Sequence, residues 1–346
     1  MTGVSRRLRH LSQMTEDLIR PDAGGLYCPA GDFWIDPLRP VPRAVITHGH
    51  ADHVRSGAGA YYTAREGLEV VAHRAGSKGA FHPVEYGQPF ELGGARITFF
   101  PAGHILGSAT VRVEAKGATW GVSGDFKRDP DPTCAPFEPF DCDVWLTECT
   151  FGLPVYRWPE PAEVAGQILE WWGECRRAGR SAVLFCYALG KAQRVMAELG
   201  RHIDEPVWIH GAMNPLTRVY REVGVELPET RLVSEAGRGH DFSGALVLAP
   251  PSAAGSSWMR RFAGHSAGFV SGWMQIRGNR RRRGYDRGFV LSDHADWPGL
   301  IDTVGDMNAG RVITIHGNGQ ALAAYLTGLG YQAESWDLRA GGEGHS

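Results

Sequence analysis

The sequence has few cysteines and no long apolar run. Its six Cys residues include no CxxC pair, so the spacing indicates neither a zinc ribbon nor a disulfide scaffold. We therefore expect reduced, mostly buried thiols in a cytoplasmic protein. No stretch approaches ~18 consecutive apolar residues, which argues against a transmembrane helix. The N-terminal region has basic residues but lacks the apolar core of a secretory signal.

Charge of one sign is not in excess either. The chain carries 36 Lys and Arg residues against 38 Asp and Glu residues, a net charge of −2. This excludes a globally basic nucleic-acid-binding protein but leaves room for a local basic patch. Hydrophobic residues make up 43% and charged residues 21% of the 346 residues, as in ordinary globular proteins. We expect about two domains or one large one, with a sizeable core.

Two sequence textures divide the chain. Residues 26–149 contain short β-type runs separated by Gly, Pro and Asp, whereas helices and apolar strands alternate from Glu163 onward. Such alternation is typical of a parallel, doubly wound sheet. The chain then ends in a similar style, which indicates a first domain interrupted by an α/β insertion and closed by the C-terminal segment. The predicted strands are 44–47, 96–100, 110–114, 119–123, 144–147, 182–186, 207–209, 245–248, 288–291, 312–315 and 332–336, and the predicted helices are 163–177, 191–199, 215–223, a segment after Trp297, and 321–329.

The segment Thr47-His48-Gly49-His50-Ala51-Asp52-His53 concentrates ligand-type residues directly after an apolar strand. Alternate histidines on a turn can converge on one point, and neutral imidazole is a preferred ligand of zinc-like ions. Asp52 and His53 could face a second ion. A surface histidine cluster is the alternative, but HxHxDH after a strand favours a metal site.

Six further ligand-type residues stand at or near the ends of apolar runs in the same way. Alone, each could be a turn or packing residue without a functional role. Together they place a polar side chain at successive strand ends, and strand ends at one edge of a layered fold lie close enough to form a common site. These residues are Asp36, His104, Asp125, Glu148, His294 and His316.

In this arrangement the chain resembles the metallo-β-lactamase fold, an αββα sandwich with a dinuclear metal site. The resemblance rests on HxHxDH at positions 48–53 followed by His104, Asp125 and His316. Asp36 stands where that fold has its first Asp. The match covers essentially the whole chain and implies an α/β fold.

The long stretch between Asp125 and His316 also resembles the β-CASP subfamily of nucleases, which cut DNA or RNA. The Trp34–Pro37 segment, the Ser271–Gly278 segment and the compact length are most similar to bacterial DNA-ligase-associated exonucleases. The resemblance implies a metallo-β-lactamase domain at residues 1–160 and 287–346, with a β-CASP insertion at 161–286. The β-CASP motifs are Thr147-Glu148-Cys149-Thr150-Phe151-Gly152, Ala188-Leu189-Gly190-Lys191-Ala192-Gln193 and Ser292-Asp293-His294-Ala295-Asp296.

This resemblance implies a metal-dependent nuclease, most similar to a DNA exonuclease of DNA repair that works alongside a ligase and a helicase. Two divalent ions would clamp the phosphate and activate water. Histidine-rich donors favour zinc, and the carboxylates also admit manganese. An RNA-directed nuclease is the alternative, because His316 stands in the last motif as it does in RNA-directed members.

The resemblance also assigns a role to each residue of the site. The catalytic residues would be Asp52, Asp125, Glu148 and His294, with His294 protonating the leaving oxygen and Glu148 holding His294. Asp36 would orient a ligating histidine. The metal ligands would be His48, His50 and His104 for one ion, Asp52, His53 and His316 for the other, and Asp125 between them.

A basic run lies just upstream of the last β-CASP motif. Residues 260–287 hold eight Arg and one acidic residue, Asp286. A solvated loop is one interpretation, but beside a phosphodiester-cutting site such a run can bind phosphates through counterion release. Lys191 and Gln193 open a helix after a strand, a location suited to anions. The predicted nucleic-acid contacts are Lys191, Gln193, Arg277, Arg280, Arg281, Arg282 and Arg283.

The segment Gly264-His265-Ser266-Ala267-Gly268 favours a different class of enzyme. It matches the GxSxG elbow of serine hydrolases, and Asp293 and His316 follow in triad order. No apolar strand precedes it, however, and the HxHxDH cluster would be left unexplained. A metal-dependent small-molecule hydrolase is a more distant alternative, because it would need neither the insertion nor Glu148 and His294.

Overall fold

The structure is a computed structural model that describes residues 17–76, 78–276, 278 and 284–337. The chain forms two compact units. The first comprises the chain up to Pro130, Cys134–Pro154 and the chain from His294 onward, and the second comprises Asp131–Thr133 and Val155–Asp293. Within the described ranges, no helix is long and apolar enough to cross a membrane.

The first unit contains two sheets, with strands numbered along the chain. The first sheet has the strand order β1-β2-β3-β4-β5-β6, and the second has the order β19-β18-β11-β10-β9-β8-β7. The strands of the first sheet are β1 (Arg20–Asp22), β2 (Gly25–Cys28), β3 (Phe33–Ile35), β4 (Arg43–Val45), β5 (Ala60–Ala64) and β6 (Ala80–Val84). Those of the second are β7 (Phe90–Leu92), β8 (Ala95–Pro101), β9 (Ala109–Ala115), β10 (Ala118–Val122), β11 (Val144–Glu148), β18 (Arg311–Ile315) and β19 (Gln332–Trp336).

Four layers build the first unit. The two sheets bury one shared core, in which Phe33 and Val45 pack with Phe99 and Val111. Helix α1 (Leu68–Ala75) packs its Val71 on the other side of the first sheet. Helices α5 (Trp297–Asp306) and α6 (Gly319–Gly328) cover the other side of the second sheet around Trp145, Val312 and Leu326.

The second unit is built on one parallel sheet of order β14-β13-β15-β12-β16-β17. One face packs against the helices α2 (Pro161–Arg177) and α3 (Lys191–Gly200). In α2, Val164, Ile168, Trp171 and Cys175 recur at helical spacing and are all buried, which fixes that helix on the sheet. The elements are β12 (Ala182–Phe185), β13 (Val207–Ile209), β14 (Thr230–Leu232), β15 (Leu246–Ala249), β16 (Ser266–Val270), β17 (Arg287–Phe289), α2 (Pro161–Arg177), α3 (Lys191–Gly200) and α4 (Asn214–Glu222).

The observed elements confirm an α/β fold class and most of the predicted strands and helices. The parallel sheet expected after Glu163 is present, with ends that differ from the prediction by a few residues at most. Strand β16 was not predicted, because Ser266, Ala267 and Gly268 are small and the segment matches a hydrolase elbow. Gly268 is closely packed, and an added Cβ would lie 2.9 Å from Trp171. Position 268 of this interior strand therefore has no room for a side chain.

Candidate metal centre

Strand ends in the first unit bring ligand-type side chains to one edge. Strands β10, β11 and β18 are parallel neighbours. Their carboxyl ends lead to Asp125, Glu148 and His316, respectively. In the other sheet, β3 and β4 are parallel and lead to Asp36 and to the segment that begins with Thr47. Each apolar strand ends where the buried core ends. The polar residues that end or follow these strands therefore lie together at one edge of the sheets.

The Asp125 carboxylate is the centre of this cluster. Its Oδ2 atom lies 3.4 Å from His48 Nε2, 3.5 Å from His53 Nε2 and 3.7 Å from His104 Nε2. His50 Nδ1 lies 3.1 Å from His48 Nε2 and 3.0 Å from His104 Nε2. The ends of strands β8 and β10 and the histidine turn after β4 therefore bring their donor atoms to a single point.

These donor atoms fit a divalent cation. Ligands at ~2.0–2.1 Å in a tetrahedral zinc site lie roughly 3.3 Å from one another, which matches the spacing around Asp125. Imidazole nitrogen and carboxylate oxygen are donors that zinc and manganese both accept. Three sets of donor atoms in the described chain lie within 4.8 Å of one another: His48, His50, His104 and Asp125; Asp36, His48 and His53; and Asp125, Glu148 and His294.

Asp36 and Thr47 fix the histidine turn from behind. Asp36 Oδ2 lies 2.7 Å from His53 Nδ1, which leaves His53 Nε2 facing Asp125. The Thr47 amide donates to Asp36 Oδ1 at 2.8 Å, and its hydroxyl donates to Oδ2 at 2.5 Å. The contact is the one expected if Asp36 orients a ligating histidine. Nothing in the sequence predicted these hydrogen bonds from Thr47, apart from its position directly before His48.

Burial and charge set the protonation of the cluster. Burial lowers the pKa of His48 well below its usual value, and His53 adds to this shift. Burial also opposes a charge on His53, but Asp125 and Asp36 raise its pKa well above the usual value. Although burial acts in the opposite direction, His53, His294 and His48 hold the pKa of Asp125 well below its usual range. The buried carboxylate of Asp125 thus requires a positive charge beside it, which a protonated histidine or a metal ion can supply.

Glu148 and His294 form a pair beside the cluster. His294 Nδ1 lies 2.9 Å from both carboxylate oxygens of Glu148, while its Nε2 lies 4.0 Å from Asp125 Oδ2. Glu148 is fixed in turn by the Phe126 amide at 2.9 Å and the Thr150 hydroxyl at 2.6 Å. The predicted pairing geometry of Glu148 and His294 is thus present, with one imidazole nitrogen directed at Asp125.

Two predicted ligands lie farther from the centre. The Asp52 side chain is 79% exposed, and its Oδ2 is 3.8 Å from His53 Nε2. The His316 ring lies with its centroid 6.5 Å from that of His53. Within the described residues, neither belongs to the compact donor sets. Both are on the His53 side of the cluster, where the second ion was expected.

The predicted nucleic-acid contacts are either internal or outside the described residues. Lys191 and Gln193 open helix α3 as expected, but both are buried. The Lys191 ammonium lies 2.9 Å from Asp293, and the Gln193 amide accepts from Gly190 and donates to Thr217. The Lys191 ammonium, which was expected to face phosphate, is thus paired with a carboxylate of the same unit. Arg277 and Arg280–Arg283 lie outside the described residues.

Ser266 does not have the surroundings of a hydrolase nucleophile. It begins strand β16 rather than following a strand. Its hydroxyl accepts from Trp171 Nε1 at 3.1 Å and donates to Asp286 at 3.1 Å. The two contacts hold the start of strand β16 to helix α2 and to the residue before strand β17, so the GxSxG match has a packing explanation.

Comparisons with known proteins find relatives that are named as ribonucleases or as a DNA ligase. No protein-family model matches it. It is 33% identical over 316 residues to a probable DNA ligase of Opitutus terrae, covering 89% of this chain and 30% of that protein. It is 28% identical over 133 residues to an RNase J-like protein of Methanocaldococcus jannaschii (36% of this chain, 32% of that protein). A ribonuclease of Thermus thermophilus is 29% identical over 201 residues (49% and 45%). The chain thus spans less than half the length of each of these relatives.

A solved structure shares the fold. A protein of unknown function from Enterococcus faecalis V583 aligns with a TM-score of 0.52 and 10% identity, covering 80% of this chain and 75% of that one. At this identity the likeness concerns the fold alone. The relatives by sequence carry more weight, and they confirm the resemblance drawn from the motifs: the chain is similar to an RNase J-like protein, to ribonucleases and to a probable DNA ligase.

Proposed function

We propose that this chain is a metal-dependent phosphodiesterase that hydrolyses nucleic acid, and that it acts as a DNA exonuclease in DNA repair. The observation that carries the proposal is the convergence of His48, His53 and His104 on the carboxylate of Asp125. Relatives named as ribonucleases and endoribonucleases support a nuclease activity. The four-layered first unit supports its assignment as the metallo-β-lactamase sandwich, with the second unit as the β-CASP insertion.

Two ions would be divided between the two sides of Asp125. His48, His50 and His104 would hold one ion, because the Nε2 atoms of His48 and His104 both lie within 3.1 Å of His50 Nδ1. Asp52, His53 and His316 would hold the other, with Asp125 contributing to both. Divalent ions supply Lewis-acid stabilisation of phosphoryl charge and generate the nucleophile from water. The mixed nitrogen and oxygen donors suit zinc first and manganese second.

The chain's own residues would manage the proton of the leaving group. His294 would donate from Nε2 to the leaving oxygen, because its Nδ1 is fixed against Glu148 at 2.9 Å. Glu148 would hold that proton on the imidazole by stabilising the imidazolium form. Asp36 would keep the Nε2 of His53 directed at Asp125. A positioned acid of this kind contributes typically about 10²–10⁴-fold to the rate.

DNA is favoured as the substrate through the relative that covers most of this chain. That relative is named as a probable DNA ligase, and this chain aligns with 30% of it, which supports a functional association with ligase chemistry. The link to a helicase rests on the resemblance alone. An RNA-directed nuclease is the second candidate, because other relatives are named as ribonucleases.

A paired degradation assay tests the substrate. End-labelled single-stranded DNA and RNA of one sequence would be incubated separately with the metal-loaded protein, with zinc and then with manganese. We expect the DNA to be lost faster, as a ladder that shortens from one end. Faster loss of RNA would transfer the proposal to an RNA-directed nuclease. If neither polymer were cut with either metal, the nuclease proposal would be refuted.

A further inference from the structure

The turn after strand β18 has an unusual backbone. His316 has a φ of 64° and Gly317 has a φ of 55°, so two consecutive residues are left-handed. For a residue with a side chain this conformation is unfavourable, because its Cβ comes too close to the following carbonyl oxygen. Among the proposed metal ligands, all of which lie within the described residues, His316 alone has a positive φ. The surroundings of the turn must therefore hold it in place.

Cys149 supplies these contacts from the neighbouring strand end. Strands β11 and β18 pair in parallel with Glu148 opposite Ile315, which places Cys149 beside His316. The Cys149 thiol lies 2.6 Å from the carbonyl oxygen of His316 and 3.3 Å from that of Ile315. Its own carbonyl accepts the amide of Asn318 at 3.2 Å. The thiol and the backbone carbonyl of one fully buried residue thus contact the turn.

The fit between Cys149 and the turn leaves no spare space. A Cβ added to Gly317 would lie 2.2 Å from the Cys149 carbonyl oxygen. A side chain at 317 would therefore push the turn away from Cys149 as well as oppose its positive φ. The other flank is closed by Gly319, whose added Cβ would lie 2.9 Å from the Thr314 hydroxyl. Cys149 thus lies against the turn at Gly317, and Thr314 lies against it at Gly319.

We propose that Cys149 is a positioning residue that holds the His316–Gly317 turn so that His316 can ligate the second metal ion. The inference rests on the proposed dinuclear site and extends it to a residue that touches neither ion nor substrate. Glu148, one residue earlier, holds His294, so one short segment after β11 would position both the acid and a ligand. Buried packing alone would explain a small residue at 149, but not a thiol within hydrogen-bond distance of the carbonyl oxygens of Ile315 and His316.

Metal titration of the metal-free protein tests this role without any measurement of activity. Zinc binding would be followed for the wild type, Cys149→Ala, Cys149→Ser and Gly317→Ala. We expect the wild type to bind two ions, and Cys149→Ala and Gly317→Ala to bind one of them about 10–100-fold more weakly, as supporting contacts of metal ligands do. Cys149→Ser keeps a donor at the same position, so its affinity should return towards the wild-type value.

The matched control is Cys186→Ala, which removes a thiol that is equally buried but lies in the second unit. Its two zinc affinities should be those of the wild type. Near-ultraviolet circular dichroism would establish that each variant is folded. If Cys149→Ala is not folded, the comparison is made between Cys149→Ser, Gly317→Ala and the wild type. Two ions bound with wild-type affinity by folded Cys149→Ala and Gly317→Ala would overturn the inference alone. Fewer than two ions bound by the wild type would refute the dinuclear site, and the inference with it.

Discussion

At the residue scale, the site depends on how many groups share one carboxylate. Asp125 Oδ2 lies within 4.0 Å of the Nε2 atoms of His48, His53, His104 and His294. Such crowding of donor atoms is costly in a buried place unless a cation or a network of protons compensates it. Each donor should therefore contribute more to the affinity for the ion than to the free energy of unfolding of the metal-free protein.

The first prediction concerns His48. Its side chain is fully buried, and burial lowers its pKa, so it offers a neutral nitrogen to an ion. We expect His48→Ala to lose tight binding of at least one ion while the metal-free protein stays folded, as measured by zinc titration. His73→Ala, at an exposed position of helix α1, is the matched control and should bind as the wild type does. Unchanged stoichiometry and affinity in His48→Ala would remove His48 from the ligand set.

The second prediction separates proton transfer from metal binding. His294→Gln and Glu148→Gln keep the approximate volume but remove the acid or its charged partner. We expect kcat to fall about 10²–10⁴-fold for His294→Gln, and less for Glu148→Gln, with both ions still bound. A variant that lost an ion together with its activity would instead identify a ligand, since Glu148, His294 and Asp125 also lie within reach of a common ion.

Residue types and spacing predicted much of this site, but not its supporting contacts. HxHxDH indicates a metal turn because three imidazoles in six positions have few other uses. The hydrogen bonds from Thr47 to Asp36 and from Cys149 to the His316 turn carry no such signal, since Thr and Cys are common in cores. Lys191 carries the opposite ambiguity, because its signal in the sequence does not say which anion the cation meets. A cation at a helix start suits an anion, but the anion proved to be Asp293 of the same unit.

At the element scale, the carboxyl ends of parallel strands explain why distant residues meet. Strands β10, β11 and β18 were predictable as apolar runs, each followed or ended by a polar residue. Their neighbour relations were not, because pairing of β11 with β18 joins residues separated by the whole second unit. Strand β16 shows the limit of prediction from sequence patterns. A buried interior strand that begins with small residues has neither alternating polar and apolar residues nor a run of large apolar side chains.

The third prediction concerns the buried charges at the start of helix α3. Lys191 lies 2.9 Å from Asp293, and Arg194 Nε lies 3.1 Å from Asp131, with all four side chains at most 5% exposed. Lys191→Met leaves the carboxylate of Asp293 buried with less compensation, so we expect a loss of about 3–5 kcal/mol in the free energy of unfolding. Urea denaturation followed by tryptophan fluorescence would measure it.

Two companion variants make that prediction specific. Lys191→Met/Asp293→Asn removes both charges and should recover part of the lost stability, because no uncompensated ion remains. Arg176→Met breaks an exposed ion pair with Glu205 in the same unit and should cost less than about 1 kcal/mol. A Lys191→Met loss no larger than that of Arg176→Met would show that the buried pair contributes little.

At the scale of the whole molecule, composition was informative only about what the protein is not. A net charge of −2 and six dispersed cysteines exclude broad classes but identify no activity. The change of texture at Glu163 lies close to the start of the second unit at Val155. The Asp131–Thr133 segment belongs to that unit without any signal in the sequence, because its attachment runs through the buried ion pair of Asp131 with Arg194.

The fourth prediction follows from linkage between folding and metal binding. Ions that bind only the folded state stabilise it by about 2.7 kcal/mol at 100 times their Kd. We therefore expect treatment with a chelator to lower the Tm of the wild type, and added zinc to restore it. The His48→Ala variant should respond much less to either treatment. Equal responses of the two proteins would place the stabilising ion outside the His48 cluster.

The central claim is that the cluster around Asp125 runs metal-dependent hydrolysis of nucleic acid. The most direct measurement is cleavage of end-labelled DNA and RNA by chelator-treated protein, before and after addition of zinc or manganese, beside the His48→Ala/Asp52→Ala variant. We expect no cleavage by the metal-free protein, full recovery on addition of metal, and no recovery by the variant. Cleavage that persists without metal, or that the variant retains, would contradict the account.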